Sequence, residues 1–354
     1  MADRSTTFKG RGAGFNPANR FDSLTHVVDD DYWEESDTPP VTEVVEQLAK
    51  NVITRNESPD VPFTQSINPY LGCEHGCVYC YARPSHAYLG LSAGLDFETK
   101  LFAKVNAPTL LRAELSRPGY RCEEISLGAN TDPYQPIERD YQITRGILEV
   151  LHDFCHPVGI VTKSALVERD LDILVPMARQ DLARVFLSVT SLDGELARKL
   201  EPRAAAPHRR LLAIRRLTEA GVPCGVLVAP IIPFLNDQDM EAILEAARTA
   251  GARWAGYVVL RLPHELKTLF KDWLARHYPL RAAHVMARVQ DLRGGRENDP
   301  EFGTRMTGTG TLAQLLQQRF EKACARLGFE RRPAHALDTT QFRVPGKGEQ
   351  LDLL

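Results

Sequence analysis

From residue 66 onward, short β-branched runs alternate with longer amphipathic stretches. The runs at 66–71, 124–129, 158–162, 185–190, 222–229 and 257–260 predict six strands. Between them, 143–154, 171–179, 209–220 and 239–250 repeat apolar residues at helical spacing. Several strand segments are apolar almost throughout, as a parallel strand covered on both faces must be. Six βα units fit between residues 66 and 277. The pattern therefore predicts an α/β fold, a partial (β/α)6 TIM-like barrel. In parallel barrels the chemistry sits at the C-terminal strand ends. Those ends carry unusual residues here: Asn130-Thr131-Asp132, Lys163-Ser164, Thr190-Ser191 and Pro230 to Pro233.

The pattern divides the chain. Residues 1–61 lack the alternation, apart from a short apolar stretch near 44–52. They begin with Arg4, Lys9, Arg11 and Arg20, then carry eight acids and no Lys or Arg across 29–46. They are expected to form a flexible N-terminal arm, either a solvated tail or a contact arm. Residues 62–278 make the core barrel. Residues 279–345 are a C-terminal extension with one clear helix at about 311–327, expected to close the barrel mouth. Residues 346–354 are expected to be a flexible tail. No repeat of 20–50 residues is present, which argues against a solenoid.

Composition narrows the class. The chain has 354 residues and a net charge of −3, so the whole molecule is no generic polyanion binder. Residues 1–14 are polar and do not read as a signal peptide. No apolar run approaches the ~20 residues of a membrane span. A soluble cytoplasmic protein, away from membranes, is expected. The seven cysteines are an odd number without a disulfide-like spread. Reduced thiols are the better reading.

Three of those cysteines fall within Gly72-Cys73-Glu74-His75-Gly76-Cys77-Val78-Tyr79-Cys80-Tyr81, with the spacing C-x3-C-x2-C. Thiolates are the ligands of iron–sulfur clusters. A compact loop can set three on three irons of a cubane and leave one iron open, with Gly72 and Gly76 letting the backbone wrap closely. Zinc is the competitor, since Cys73, His75, Cys77 and Cys80 could supply four ligands. That alternative is a non-catalytic zinc-binding nucleic-acid module.

The string C-x3-C-Φ-Y-C after a first strand resembles the radical S-adenosylmethionine (SAM) superfamily, over most of residues 62–330. Asn68-Pro69-Tyr70, Asn130-Thr131-Asp132-Pro133-Tyr134-Gln135, Glu201-Pro202-Arg203, and Pro230-Ile231-Ile232-Pro233 with Asn236-Asp237 resemble its spore-photoproduct-lyase-like, DNA-repair-photolyase-like group. The resemblance implies a [4Fe–4S] cluster on Cys73, Cys77 and Cys80. It implies SAM on the open iron, cleaved to a 5′-deoxyadenosyl radical with an electron from a donor such as flavodoxin or ferredoxin. Tyr79 would lie near the adenine. Asn130, Thr131 and Asp132 stand where the superfamily binds the SAM amino group, although a polar string replaces the usual Gly-Gly-Glu. Asp132 as a turn former before Pro133 is the alternative. Lys163 and Ser164 end the third strand, where a Lys could pair with the SAM carboxylate or simply be solvated. Ser188 and Thr190 would face the barrel interior and the ribose. Glu201 and Arg203 either belong to the site or pair with each other. One departure stands out: the cysteine by which the spore lyase returns a hydrogen atom falls on Ala129 here. Cys122, earlier in the chain, is either a substitute or a lone thiol. This speaks against spore photoproduct cleavage itself.

Two features bear on partners. Residues 261–332 hold fourteen Lys and Arg against eight Asp and Glu. Arg288, Arg293, Arg296 and Arg305 are candidates to track phosphates, unless they are an ordinary solvated surface. Trp254, Tyr257 and Trp273 either stack bases or pack in the core. Gln350-Leu351-Asp352-Leu353-Leu354, after a Pro345-Gly346-Lys347-Gly348 linker, resembles the Q-L-x-L-F/L peptide that docks bacterial polymerases and repair proteins on the sliding clamp. Its contacts would come from Gln350, Leu351, Leu353 and Leu354. The expected activity is on nucleic acid, DNA repair in character; a radical SAM enzyme acting on protein or small molecules is the alternative.

Overall fold

The computed structural model describes residues 7–21, 40–330 and 336–346. Gln350, Leu351, Leu353 and Leu354, the contact residues of the expected clamp peptide, lie outside them. Among the described residues ten strands form two sheets: β1 (Glu43–Gln47), β2 (Thr54–Arg55), β3 (Gln65–Ile67), β4 (Tyr70–Leu71), β5 (Lys100–Lys104), β6 (Ile125–Leu127), β7 (Val158–Thr162), β8 (Ala183–Ser188), β9 (Cys224–Ile231) and β10 (Trp254–Val259).

The main sheet runs β10-β9-β8-β7-β6-β3-β2. Its six strands from β3 to β10 are parallel neighbours, and β2 adds an antiparallel edge. This is the expected partial barrel, open between β10 and β2. Helices Ala107–Leu115, Ile143–Asp153, Leu171–Ala178, Pro207–Glu219 and Met240–Thr249 supply the crossovers. In Ile143–Asp153 the residues Ile143, Ile147, Leu148 and Leu151 are buried, one apolar stripe of a surface helix. β7, β8 and β9 are buried at most positions along their length. That explains why their sequences read as continuous apolar runs.

The expected strand 66–71 is split in two. Pro69 has no N–H to donate to a ladder. The chain therefore leaves the main sheet after Ile67, and Tyr70 and Leu71 pair antiparallel with β5 in a second sheet, β1-β5-β4. β1 pairs with β5 in parallel. The extension from 279 also holds a helix beyond the expected one, Pro279–Asp291, ahead of Gly310–Leu327.

The described part of residues 1–61 packs against the core. Arg11 and Ala13 are buried, β1 and β2 join the two sheets, and Asp60 forms an ion pair with Arg305. Gly303 N also donates to Asp60 Oδ1 at 2.7 Å. These contacts bridge the open seam. The extension itself serves both ends. Residues 292–309 lie at the end of β10, where Val259 N donates to Met306 O at 2.9 Å. Residues 338–343 instead cross the opposite, N-terminal ends: Asp338 N donates to Asp181 O, and Arg343 N to Phe154 O, each at 3.0 Å. No helix among the described residues is long and apolar enough to cross a membrane.

Candidate active site

The cysteine loop sits where β4 meets the C-terminal ends of β6, β7 and β8. Gly72 and Gly76 adopt φ of +76° and +66°, which lets a short loop turn twice. Its backbone is tied down from several directions. Cys73 N donates to Phe97 O at 2.9 Å, Val78 N to Leu200 O at 3.0 Å, and Arg203 N to His75 O at 3.2 Å. Below it, Arg83 and Glu98 form a fully buried ion pair. Arg83 also donates to Cys77 O at 2.8 Å and Gly94 O at 2.8 Å. Glu98 accepts from Gly12 N at 3.0 Å and Ala13 N at 2.8 Å. The N-terminal strand of chain crosses the loop so closely that a Cβ on Gly12 would stand 1.9 Å from Gly76 O.

The string 130–135 is a clamp on this loop. Asn68 Oδ1 accepts from Asn130 N at 2.9 Å and Thr131 N at 3.3 Å. Thr131 Oγ1 donates to Tyr70 O at 2.8 Å. Gln135 Nε2 donates to Gly72 O at 3.1 Å, while its Oε1 accepts from Glu74 N at 2.9 Å. Asp132 accepts from Tyr134 N (2.9 Å), Thr162 Oγ1 (2.7 Å) and Lys163 N (2.7 Å), and faces His75 Nδ1 at 3.3 Å. Burial alone would push its carboxyl up; His75, Thr162 and the Lys163 amide outweigh that and hold it at about 2. Asp132 is thus a turn and clamp residue whose oxygens already have protein donors.

On the other side, Tyr79 points its hydroxyl at the buried Glu201, with Thr190 Oγ1 3.2 Å away. Glu201 is ion-paired with Arg210 rather than Arg203. Arg203 instead pairs with Glu74 at 3.0 Å. Thr190 Oγ1 lies 2.5 Å from Glu201 Oε1, and Ser188 Oγ donates to Ala229 O at 3.1 Å. Ser164 Oγ caps a short turn by accepting from Leu166 N at 3.2 Å. Lys163 Nζ stands 5.8 Å from the centroid of the Tyr79 ring. Among the expected cofactor residues, the Asn130 side chain and the Lys163 ammonium have no hydrogen-bond or ion-pair partner in the described chain. The structure thus brings Tyr79, Asp132, Lys163 and Thr190 around the cysteines, and gives Thr131, Ser164 and Ser188 structural hydrogen bonds.

The donor set fits a cubane. Cys73, Cys77 and Cys80 lie on one loop. Burial pushes the Cys73 thiol well up, and Asp132, Cys77 and Cys80 push it further, so the three sulfurs are electrostatic neighbours. Burial also raises Cys77 and Cys80, while Lys163 opposes the rise in both. A cationic cluster supplies the positive charge that thiolates in such a place require. The other four cysteines lie elsewhere. Cys122, Cys155 and Cys224 precede or begin strands at the opposite end of the barrel, and Cys324 is on the helix Gly310–Leu327. Cys122 is therefore no substitute at the mouth. Among the described residues no three His, Cys, Asp or Glu side chains are gathered around a single-ion position.

The residues expected to track phosphates are largely engaged. Arg288 pairs with Asp291, Arg296 with Asp299, and Arg305 with Asp60. Arg293 is buried and donates to four carbonyls, of Thr304, Arg305, Val259 and Leu260. Trp273 is fully buried, donating to Lys199 O at 3.0 Å. Tyr257 packs on Phe320, and Trp254 on Phe186.

Sequence reasoning passed over Glu98, Arg83, Arg210 and the loop-holding role of Gln135. Only Gln135 carried a signal, as part of the 130–135 string.

Known proteins resemble this chain at two levels. An uncharacterized protein of Mycobacterium tuberculosis is 36% identical over 279 residues, covering 77% of this chain and 78% of its own. One from Methanocaldococcus jannaschii is 28% identical over 237 residues, covering 67% and 84%. In fold, the chain resembles spore photoproduct lyase complexed with dinucleoside spore photoproduct. The TM-score is 0.55 at 16% identity, over 80% of this chain and 79% of that one. A variant of that lyase with bound AdoMet and dinucleoside spore photoproduct aligns with a TM-score of 0.52 at 15% identity, over the same shares of the two chains. The Radical SAM superfamily matches residues 67–247, from β3 through the helix after β9. With three cysteines in that span on one clamped loop, the chain belongs to the radical SAM superfamily.

Proposed function

We propose that this protein is a cytoplasmic radical SAM enzyme acting on nucleic acid, with its cluster held by Cys73, Cys77 and Cys80. When bound, the cluster and SAM would supply 5′-deoxyadenosyl radical chemistry for hydrogen-atom abstraction. The chain's own residues orient and shield. Glu98, Arg83, Gln135 and Asp132 fix the cysteine loop, so the donors are set before the cluster arrives. Lys163 offers an unpaired cation for the SAM carboxylate, and Asn130 an unpaired amide for its amino group. Tyr79 forms an apolar wall whose hydroxyl is already satisfied by Glu201. The observation that carries the reading is the clamped three-cysteine loop at the C-terminal strand ends, the place where such barrels do chemistry. The nucleic-acid substrate rests on the fold shared with a protein solved with a dinucleoside lesion.

Anaerobic reconstitution should give about four irons per chain. With a strong reductant, a flavodoxin or a ferredoxin, it should also give slow release of 5′-deoxyadenosine. Zinc filling the site with iron in excess would sink the proposal. Recovery of crosslinked nucleic acid from the reconstituted enzyme supports the substrate class; crosslinked protein alone would point to peptide modification. For the tail we propose sliding-clamp docking through residues 350–354. Its three leucines give a contact on the order of micromolar, which deletion of those residues should abolish.

A further inference from the structure

Arg261 follows β10 at the mouth of the barrel. Its guanidinium lies over the ring of Tyr81, 5.7 Å from the centroid. Tyr81 directly follows Cys80, and its hydroxyl donates to Ala129 O at the end of β6. Arg261 therefore spans from the last strand of the barrel to the cysteine loop.

Unlike the neighbouring Arg305, this side chain has no carboxylate partner among the described residues. Nη1 contacts only Met306 Sδ, at 3.7 Å, and the buried Nε has no partner. Its surroundings are positive. Burial and then Arg305 push its pKa down; burial and then Arg261 bring Arg293 to about 10. The carboxylate whose charge it feels, Asp60, is already committed to Arg305. A half-buried, unpaired guanidinium between like charges is costly to keep. An arriving anion relieves that cost.

We infer that Arg261 is a substrate-recognition residue that takes a phosphodiester group of a nucleic-acid strand, holding the strand against the cysteine loop. The assignment rests on the nucleic-acid reading above. SAM is a poor candidate for this corner. It carries an ammonium and a sulfonium against one carboxylate, and a net cation is repelled by two neighbouring guanidiniums. A phosphate is anionic overall and matches the planar fork of an arginine with two oxygens.

The test uses anaerobically reconstituted holoenzyme and a fluorescein-labelled ten-nucleotide single-stranded DNA, with anisotropy read from 50 to 200 mM salt. Arg261→Met should weaken binding about tenfold and lower the log–log salt slope by about 0.7, the value for one phosphate contact on a single strand. Arg261→Lys should keep the slope and lose about threefold through the missing fork. This second variant tests the assignment even if the first does not fold. Wild-type affinity and slope in Arg261→Met, or in its absence wild-type affinity in Arg261→Lys, would overturn the assignment while leaving the nucleic-acid reading intact. Equal losses of DNA and SAM affinity would overturn it too, by giving the guanidinium to the cofactor. Failure of the wild type to bind any strand would overturn both readings together.

Discussion

The two ends of the barrel solve burial in opposite ways. At the C-terminal strand ends, charges are buried in pairs: Arg83 with Glu98 and Arg210 with Glu201. At the N-terminal ends the seal is aromatic. Phe342 sits 5.4 Å from the ring of Tyr120, 6.2 Å from Phe154 and 5.6 Å from His156. His156 is held by Tyr120 Oη at 2.8 Å and Pro157 O at 3.1 Å. An apolar seal serves stability alone and tolerates small shifts. A buried ion pair is a poor source of stability, but its directed bonds hold atoms in place. The mouth spends burial on geometry because three sulfurs must present one cluster, and the far end has no such demand.

The largest expected effect is all or none. Cys73→Ala, Cys77→Ala and Cys80→Ala should each lose iron and 5′-deoxyadenosine formation, while Cys122→Ala, Cys155→Ala and Cys224→Ala at the far end keep both. Iron analysis after reconstitution checks this, and iron retained in Cys77→Ala would break the contrast at its root. Next comes Glu98→Ala. It strands the Arg83 guanidinium and two backbone donors, so the apo-protein should lose ~3–5 kcal/mol in denaturant unfolding. Iron retention should fall as well, since the loop loses its floor. A loss under 1 kcal/mol would mean that the pair contributes little to holding the loop.

How much of this was legible beforehand follows the range of the interaction involved. The run 158–162 matches β7 residue for residue, because a strand buried on both faces shows itself in its own side chains. The three ligands are legible for a similar reason: their spacing is local. The split of 66–71 was also written locally, in Pro69, but the apolar run around it masked the break. The helix Pro279–Asp291 was missed because only Val285 and Val289 are buried on it, too thin a stripe to stand out. The β1–β5 pairing joins residues 43 and 100, and nothing in either segment names the other. The same holds for Glu201, whose partner is Arg210 rather than the neighbouring Arg203. Asp132 shows a different limit. A turn former and a ligand for a cationic amine are the same residue type in the same place, and only its four donors distinguish them.

A pH experiment sharpens the comparison of ends. Burial pushes His156 down to about 4, with the bond to Pro157 O opposing. Its folded pKa is thus below the ~6.5 of an unfolded histidine. Its contribution is fully present above pH 6.5 and is lost as the pH falls through about 4. The shift corresponds to about 3 kcal/mol. Unfolding of the apo-protein followed between pH 7 and 4 should show this slope, and His156→Gln should flatten it. The fluorescence of Tyr120 and the neighbouring rings would report whether the aromatic end opens first. A slope unchanged in the variant would assign the acid sensitivity elsewhere.

The smallest effect belongs to Lys163, and it tests the mouth as a binding site rather than as a scaffold. Its ammonium makes no hydrogen bond or ion pair in the described chain, so Lys163→Met orphans nothing and should leave the unfolding midpoint within about 0.5 kcal/mol of wild type. The long contact of the ammonium with the Tyr79 ring, 5.8 Å from the centroid, is lost in the variant. What disappears is one charge-assisted hydrogen bond to a carboxylate, ~1.5–3 kcal/mol, or roughly ten- to a hundredfold in SAM affinity. Equilibrium dialysis on the reconstituted enzyme reads this directly. Iron content serves as the control, because Lys163 also offsets the charge of Cys77 and Cys80. Full iron with weakened SAM binding places the ammonium on the cofactor. Full iron with unaltered SAM affinity would leave Lys163 a solvated strand-end lysine and move the search for the carboxylate partner to other residues of the mouth.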